Sequence, residues 1–215
     1  MLLSLNDLNQ GDNVMATLVG RKAPDFTCAA VLGNGEITNK FKFSETTAGK
    51  YALIFFYPLD FTFVCPSELI ALHNRMQQFK EKNVEVIAVS IDSQFTHLAW
   101  RNTPINQGGI GKVSYIMAAD VNHRICQAYG VEHPEAGVAF RAAILIDKNG
   151  VVRSEIVNDL PIGRDMDEIL RLVDAIQHNE AHGEVCPAGW KKGETAMKAS
   201  PDGVAAYLAD NATNL

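Results

Sequence analysis

The sequence contains neither a long apolar run nor a cluster of basic residues. None of its apolar stretches reaches the roughly 18–20 residues that a membrane-spanning helix needs. Lys and Arg number 19 against 25 Asp and Glu, for a net charge of −6, and the basic residues are scattered along the chain. These absences argue against a membrane protein and against non-specific binding of nucleic acid.

The first residues lack the pattern of a secretory signal. A signal peptide begins with basic residues ahead of its apolar stretch, whereas the start MLLSL has no basic residue and only a short apolar patch. We therefore expect a cytoplasmic protein. Residues 1–18 are expected to form an N-terminal lead-in. Either this lead-in is disordered, or the true start of the protein is Met15.

Cysteines are few and widely spaced. The four are Cys28, Cys65, Cys126 and Cys186, and no C-x-x-C pair is present. This pattern excludes a disulfide scaffold and a thioredoxin-type dithiol. Cys28 and Cys126 are expected to be packed small residues without a catalytic role, Cys126 on the apolar side of a short helix.

The distribution of apolar residues predicts one α/β domain. The 215 residues are 47% hydrophobic and 20% charged, which is typical of a globular protein with a sizeable core. Strands are predicted at 51–57, 84–91, 116–119, 142–146 and 151–157, and helices at 66–82, 94–102, 121–129 and from 165 onwards. A turn at 147–150 joins the last two strands in an antiparallel hairpin. This order indicates a mixed central β-sheet flanked by helices at 19–181, followed by a C-terminal arm at 182–215.

One stretch places a cysteine at a strand-to-helix junction. The apolar run 51–57 ends at Pro58, a loop contains Thr62, and Cys65 is followed by Pro66 in what reads as the first turn of a helix. Free N–H groups and the positive end of the helix dipole stabilise an anion there. Cys65 is therefore a candidate nucleophile, with its thiolate favoured at neutral pH.

Two motifs carry a resemblance to a known family. Pro58, Thr62 and Cys65 form the pattern Pro-x-x-x-Thr-x-x-Cys of the peroxiredoxins, and the segment GEVCPAGW at 183–190 is similar to the resolving-cysteine segment of typical two-cysteine members. The resemblance runs from about residue 19 to about residue 198. It implies a thioredoxin-like fold and a thiol-dependent peroxidase.

The resemblance also assigns roles to individual residues. It makes Cys65 the peroxidatic nucleophile, Thr62 and Arg141 its activating groups, and Pro58 a shield for the oxidised sulfur. Breaking the O–O bond requires donors that stabilise the developing charge, and the fork-shaped guanidinium of Arg141 can bind sulfur and peroxide together. Glu68, in the first turn of the predicted helix, could hold a second arginine in place.

The implied catalytic cycle needs no metal or organic cofactor. Cys65 is oxidised by hydrogen peroxide or an organic hydroperoxide to a sulfenic acid. Cys186, implied to come from the partner subunit, condenses with it to an intersubunit disulfide, and thioredoxin or a flavin disulfide reductase restores both thiols. The functional unit would be a homodimer, and five dimers are expected to form a ring.

Three alternatives stay open at this point. His178, His182 and Cys186, spaced by four, would form a metal-binding stripe on a continuous helix, although Gly183 should end that helix. A cysteine hydrolase would need His73 or His97 as base for Cys65. His73 lies too far along the same helix, and His97 is expected on a helix surface. A holdase chaperone is the non-enzymatic option, and no feature of the sequence tests it.

Overall fold

A seven-stranded sheet forms the centre of the protein. The computed structural model describes residues 17–214, so the predicted lead-in at 1–18 lies outside the described residues except for its last two. The strands are β1 (Thr27–Val31), β2 (Ile37–Lys42), β3 (Tyr51–Phe56), β4 (Val84–Ser90), β5 (Ile116–Ala119), β6 (Arg141–Ile146) and β7 (Val152–Asn158). Their order across the sheet is β2-β1-β5-β4-β3-β6-β7.

Seven helices surround or follow this sheet in the described part of the chain. They are α1 (Phe43–Thr46), α2 (Cys65–His73), α3 (Met76–Glu81), α4 (Gln94–Asn102), α5 (Arg124–Ala128), α6 (Met166–His182) and α7 (Pro201–Asn211), with short 3₁₀ turns at Ile105–Gln107 and Ala212–Asn214. Among residues 17–214, no helix combines the length and the apolar character that crossing a bilayer would require.

The sheet is mixed, as predicted, and β3 lies near its middle. β3 pairs in parallel with β4 and antiparallel with β6, while β4 pairs in parallel with β5. Every side chain of β3 is buried. Leu53 and Phe55 pack into one core and Ile54 and Phe56 into the other, on opposite faces of the sheet. Because β3 is covered on both faces, its sequence shows no polar alternation.

The predicted helix 66–82 is two helices in the structure. α2 ends at His73, and Arg75 has φ −108° and ψ 4° before α3 begins. The guanidinium of Arg75 donates to the carboxylate of Asp167 at 2.5 and 2.7 Å and to the carbonyl of Ala71 at 3.3 Å. The apolar residues keep their helical spacing as far as residue 79, so the sequence does not show the interruption. The spacing depends on which side chains are buried and not on the backbone hydrogen bonds.

The C-terminal half of the domain follows the sequence prediction. Asp147 accepts hydrogen bonds from the N–H groups of Asn149 and Val151, and Gly150 closes the turn with φ 73°. Asp165 caps α6 by accepting from the backbone of Asp167 at 2.8 Å. Thus the hairpin and the last helix of the domain have the predicted positions.

Three local predictions differ from the structure. β1 was not predicted, although its sequence TCAAV leads into the turn that joins it to β2. α5 starts at Arg124 and not at 121, because His123 has φ 62° and Asp120 instead accepts from the N–H groups of Ile125 and Cys126. The arm contains a complete helix, α7, with Ser200 as its N-cap.

The predicted surface position of His97 is wrong. Its side chain is 0% exposed, because α4 packs against the sheet at β1 and β5. The Nδ1 atom lies 2.8 Å from a carboxylate oxygen of Asp60, and Nε2 lies 3.3 Å from the carbonyl oxygen of Ala118. Tyr57 donates its hydroxyl proton to the other oxygen of Asp60. His97 therefore belongs to a buried polar network beneath the loop that follows β3.

Candidate active site

Cys65 is the first residue of α2, and its side chain is completely buried. The N–H groups of Ser67 and Glu68 are bonded to the carbonyl of Val64, and Pro66 in the first turn has no N–H to satisfy. The strand-to-helix junction predicted from the sequence is thus present. It places the sulfur at the positive end of the α2 dipole.

Arg141 brings a positive charge to this sulfur. It is the first residue of β6, which pairs antiparallel with β3, so it lies at the edge of the sheet where β3 ends. Its Nη1 atom lies 3.3 Å from the sulfur of Cys65 and donates to Glu68 at 2.7 Å. Its Nε atom donates to the carbonyl of Leu160 at 2.5 Å. Held from two sides, the guanidinium is fixed over the sulfur before substrate binds.

A second arginine completes the site, and Glu68 bridges the two. Arg164 donates from Nε and Nη2 to the two oxygens of Glu68 at 2.9 and 3.1 Å, and its backbone N–H donates to the same carboxylate at 2.8 Å. The Nη1 atom of Arg164 donates to the carbonyls of Phe56 and Ala142, and the guanidinium carbon lies 3.4 Å from the ring centre of Phe55. Arg164 therefore joins α2, β3 and β6.

Glu68 is anionic in this arrangement. Burial acts to raise the pKa of the Glu68 carboxyl, but hydrogen bonds from Arg164 and the charges of Arg164 and Arg141 outweigh it and hold the pKa below its usual value. The group is only 3% exposed. Two guanidinium ions thus share one buried carboxylate, which leaves a net positive charge beside Cys65.

The structure places Thr62 and Pro58 on the loop before α2. Pro58 is buried and follows Tyr57 directly. The half-buried Thr62 donates its hydroxyl proton to the carbonyl of Leu59 at 2.8 Å. In the described part of the chain this hydroxyl makes no hydrogen bond to Cys65, whose polar partner is Arg141.

Cys186 lies elsewhere, on an arm that is docked against α6. Its thiol donates to the carbonyl of Ala175 at 3.6 Å, and both Cys186 and Cys65 are free thiols. Trp190 is 2% exposed, packs against His178 with ring centres 4.7 Å apart and the rings tilted by 45°, and accepts at its carbonyl from Arg171. The arm, which the sequence suggested to be loose, is therefore held in place in this state.

Comparisons with known proteins identify the family. The model of the AhpC/TSA family matches residues 19–155, more than half of the chain. The chain belongs to the AhpC/TSA family. A second model, the C-terminal domain of 1-Cys peroxiredoxin, matches residues 175–209.

Individual peroxiredoxins resemble this chain over most of its length. Alkyl hydroperoxide reductase C of Helicobacter pylori is 52% identical over 198 residues, which is 92% of this chain and 100% of the relative. The reduced 2-Cys peroxiredoxin of Plasmodium vivax is 48% identical, with a TM-score of 0.87 over 90% of this chain and 100% of that one. A Plasmodium yoelii Prx1a modified at the N-terminus, which forms an artifactual octamer, is 51% identical with a TM-score of 0.71 over 80% and 98%.

The identification of a peroxiredoxin from the sequence is thereby confirmed, together with the thioredoxin-like fold and the class of thiol-dependent peroxidase. The sequence suggested a second arginine for Glu68 without naming it, and the structure identifies Arg164. In the sequence, Arg164 is marked only by its place next to Asp165 at the start of α6. That place does not indicate a contact with Glu68 on α2.

Two alternatives from the sequence do not match the geometry of the peroxiredoxin. α6 ends at His182, Gly183 follows with φ 68°, and His178 bonds Glu184 at 2.9 Å, so within 17–214 the stripe including Cys186 does not form a ligand set. A cysteine hydrolase would need a histidine acting as base on Cys65. His73 instead accepts a hydrogen bond from Ser114 at 3.3 Å. His97, the other candidate base, bonds Asp60.

The remaining two cysteines have the packed positions predicted for them. Cys28 lies half-buried on β1, where burial raises the pKa of its thiol to about 11. Burial, together with the charge of Asp120, also raises the pKa of the Cys126 thiol on α5. Both are therefore protonated and weakly nucleophilic at neutral pH.

We expect Trp190→Ala to undock the arm without unfolding the domain. The change removes a buried indole that packs against His178 and donates to the carbonyl of Glu194, a loss on the order of 3 kcal/mol. Limited proteolysis should then cut within 184–198 much faster, while circular dichroism stays close to wild type. Lys192→Ala, at an exposed position of the same arm, is the matched control. Equal proteolysis of both variants would contradict the docking role of Trp190.

Proposed function

We propose that this protein reduces hydrogen peroxide and organic hydroperoxides with Cys65 as the peroxidatic cysteine and Cys186 as the resolving cysteine. The observation that carries the proposal is the guanidinium of Arg141, 3.3 Å from the Cys65 sulfur at the N-terminus of α2. A cation and a helix dipole directed at one sulfur favour the thiolate, which is the form that attacks peroxide.

In the first step, the Cys65 thiolate attacks one oxygen of the peroxide. An S–O bond forms, the O–O bond breaks, and the departing hydroxide or alkoxide takes a proton to give water or an alcohol. The donors of Arg141 stabilise the charge on the oxygens as the bond breaks, and Glu68 with Arg164 holds that guanidinium in place. Thr62 contributes a hydroxyl from the loop, and Pro58 shields the resulting sulfenic acid.

In the second step, the thiolate of Cys186 attacks the sulfur of the Cys65 sulfenic acid. An S–S bond forms and hydroxide leaves, to be protonated to water. Two electrons from a dithiol, supplied by thioredoxin or a flavin disulfide reductase, then regenerate both thiols. Both cysteines are free thiols here, which is the state from which this cycle starts. A reducing, cytoplasmic compartment, where free thiols persist, would suit this cycle.

The resolving thiol is proposed to come from the partner subunit of a homodimer. Within one chain, Cys186 is docked on α6 beside Ala175, whereas Cys65 is buried at the start of α2. The loop before α2 also exposes Phe61 and Phe63, the latter by 97%. An exposed aromatic pair next to the active site supports a further contact between dimers, and we propose a ring of five.

Mixing two differently tagged forms of the protein tests this scheme. One form has Cys65→Ser and the other has Cys186→Ser, so an intersubunit disulfide can form only in a mixed dimer. After the subunits have exchanged and peroxide has been added, a non-reducing gel should show a covalent dimer that carries both tags and disappears on reduction. Untagged wild type should also give a covalent dimer that disappears on reduction. If oxidised wild type stays monomeric while it loses both thiols, the disulfide lies within one chain.

A further inference from the structure

A cluster of three potential metal ligands lies outside the peroxidase site. His123, Cys126 and Glu132 each offer one ligand atom, and these atoms lie within 4.8 Å of one another. Among the described residues, 17–214, no second group of this kind occurs. The Nδ1 atom of His123 is 2.6 Å from a carboxylate oxygen of Glu132. None of the three contacts the Cys65 site in the scheme proposed above.

The backbone holds two of these side chains in fixed positions. His123 precedes α5 with φ 62°, and Asp120 accepts from the N–H group of Cys126 at 2.8 Å. The thiol of Cys126 is 3.2 Å from the carbonyl oxygen of His123. The turn thus places imidazole and thiol on the same side of the chain.

Glu132 completes the cluster from the segment that leads to β6. It forms an isolated antiparallel bridge with Ala139. Hydrogen bonds from Gln127 and from His123 hold the pKa of its carboxyl below the usual range, so it is a carboxylate at neutral pH. The side chains of His123 and Glu132 are 29% and 25% exposed, which leaves one side of the cluster open to water.

We propose that His123, Cys126 and Glu132 bind a zinc ion. Imidazole nitrogen, thiolate sulfur and carboxylate oxygen are the donors that Zn²⁺ takes, at about 2.0–2.3 Å, and three protein ligands with an open fourth position form a common zinc site. These bond lengths separate tetrahedral ligand atoms by about 3–4 Å. The ligand atoms here lie within 4.8 Å of one another, with 2.6 Å between His123 and Glu132, so small side-chain shifts bring them to that spacing. Binding replaces the hydrogen bond between His123 and Glu132, and the Cys126 thiol releases its proton to solvent.

The bound ion would join the start of α5 to the segment before β6. Because Arg141 opens β6, the zinc would brace the chain that leads into the active site without contacting it. Since zinc binds the folded site in preference to the unfolded chain, the melting temperature should rise with zinc concentration.

Cobalt(II) titration tests the site, because cobalt occupies zinc sites and reports thiolate ligation by a charge-transfer band. The host is the full chain with Cys65→Ser and Cys186→Ser, which removes the redox thiols and makes the outcome independent of the peroxidase proposal. We expect one cobalt per chain, with a thiolate charge-transfer band and intense visible bands of tetrahedral geometry. Zinc should displace the cobalt. Absence of these bands overturns the proposal.

Variants of the ligands locate the binding. Cys126→Ser should abolish the charge-transfer band, and Cys28→Ser, the matched control, should keep it. Glu132→Gln retains shape and hydrogen bonding at a half-exposed position, so it should fold, which circular dichroism verifies. Its zinc affinity, from competition with a chromophoric chelator, should fall at least about tenfold. Equal affinity in host and Glu132→Gln, or an unchanged band in a folded Cys126→Ser protein, means adventitious binding and overturns the site.

Discussion

Replacing Cys65 by serine is expected to reduce peroxide turnover to the uncatalysed background, whereas Cys186→Ser should consume one equivalent and stop. Serine preserves the shape at the start of α2, so the ion pair of Arg141 with Glu68 stays in place. What is lost is the thiolate, because the serine hydroxyl does not ionise near neutral pH. Stopped-flow oxidation followed by intact mass measures both variants, and Cys186→Ser should gain one oxygen as a sulfenic acid that a selective reagent traps.

Cys28→Ser is the matched control for both variants. Its thiol lies outside the site, and burial raises its pKa to about 11, so removing it should leave turnover at the wild-type rate. Sustained turnover by Cys65→Ser with a thioredoxin system would assign the nucleophile to another residue. Multiple turnover by Cys186→Ser under the same conditions would remove Cys186 from the cycle.

Replacing Glu68 by glutamine is expected to cost both stability and rate. The substitution leaves Arg141 and Arg164 buried without their shared anion, and unpairing a buried charge costs about 3–5 kcal/mol. The rate of Cys65 oxidation should fall as well, because Glu68 no longer holds Arg141 against the sulfur. Urea unfolding at neutral pH and stopped-flow oxidation measure the two losses. The exposed Glu45, which pairs with Lys42, provides the control Glu45→Gln, and that change should leave the urea midpoint close to that of the wild type.

The ion pairs of Glu68 with Arg141 and Arg164 also predict how the stability of the protein depends on pH. The pKa of Glu68 is lower in the folded protein than the value of about 4.3 for a free glutamate. The stabilisation is therefore complete above that value and disappears as the pH falls through the folded pKa. In acid, the wild type should lose this contribution, and Glu68→Gln, which lacks it, should show a shallower decline. Two parallel declines, or a neutral-pH loss under 1 kcal/mol, would contradict the role given to Glu68.

The sequence was informative wherever one short segment determines the local structure. The uninterrupted apolar run of β3, the turn at 147–150 and the start of α6 near Asp165 were all predicted, because strand burial, turn chemistry and the helix dipole act within a few residues. The same holds for Cys65, whose neighbour Pro66 marks the helix start. These features need no knowledge of distant contacts.

The features that could not be predicted depend on partners far along the chain. His97 looks like a surface residue until α4 packs against the sheet and brings Asp60 to its ring, 37 residues away. The contact of Arg164 with Glu68 spans 96 residues. At the break between α2 and α3, Arg75 pairs with Asp167, 92 residues further on. The docking of the arm at Trp190 depends on a contact with His178 that no periodicity reveals.

The interruption at Arg75 has a consequence for the time that an oxidised Cys65 remains hidden. α2 spans only nine residues, and an isolated helix shorter than about 12–15 residues is marginal in water. Its later part is anchored by Leu69 and Leu72, both fully buried, and Arg75 ties its end to α6. We therefore expect any opening around Cys65 to stop before α3, and it has to break the hydrogen bonds of Glu68 with Arg141 and Arg164 in the same turn. In the proposed cycle, we expect the lifetime of the buried sulfenic acid to depend on this local opening and not on the global stability.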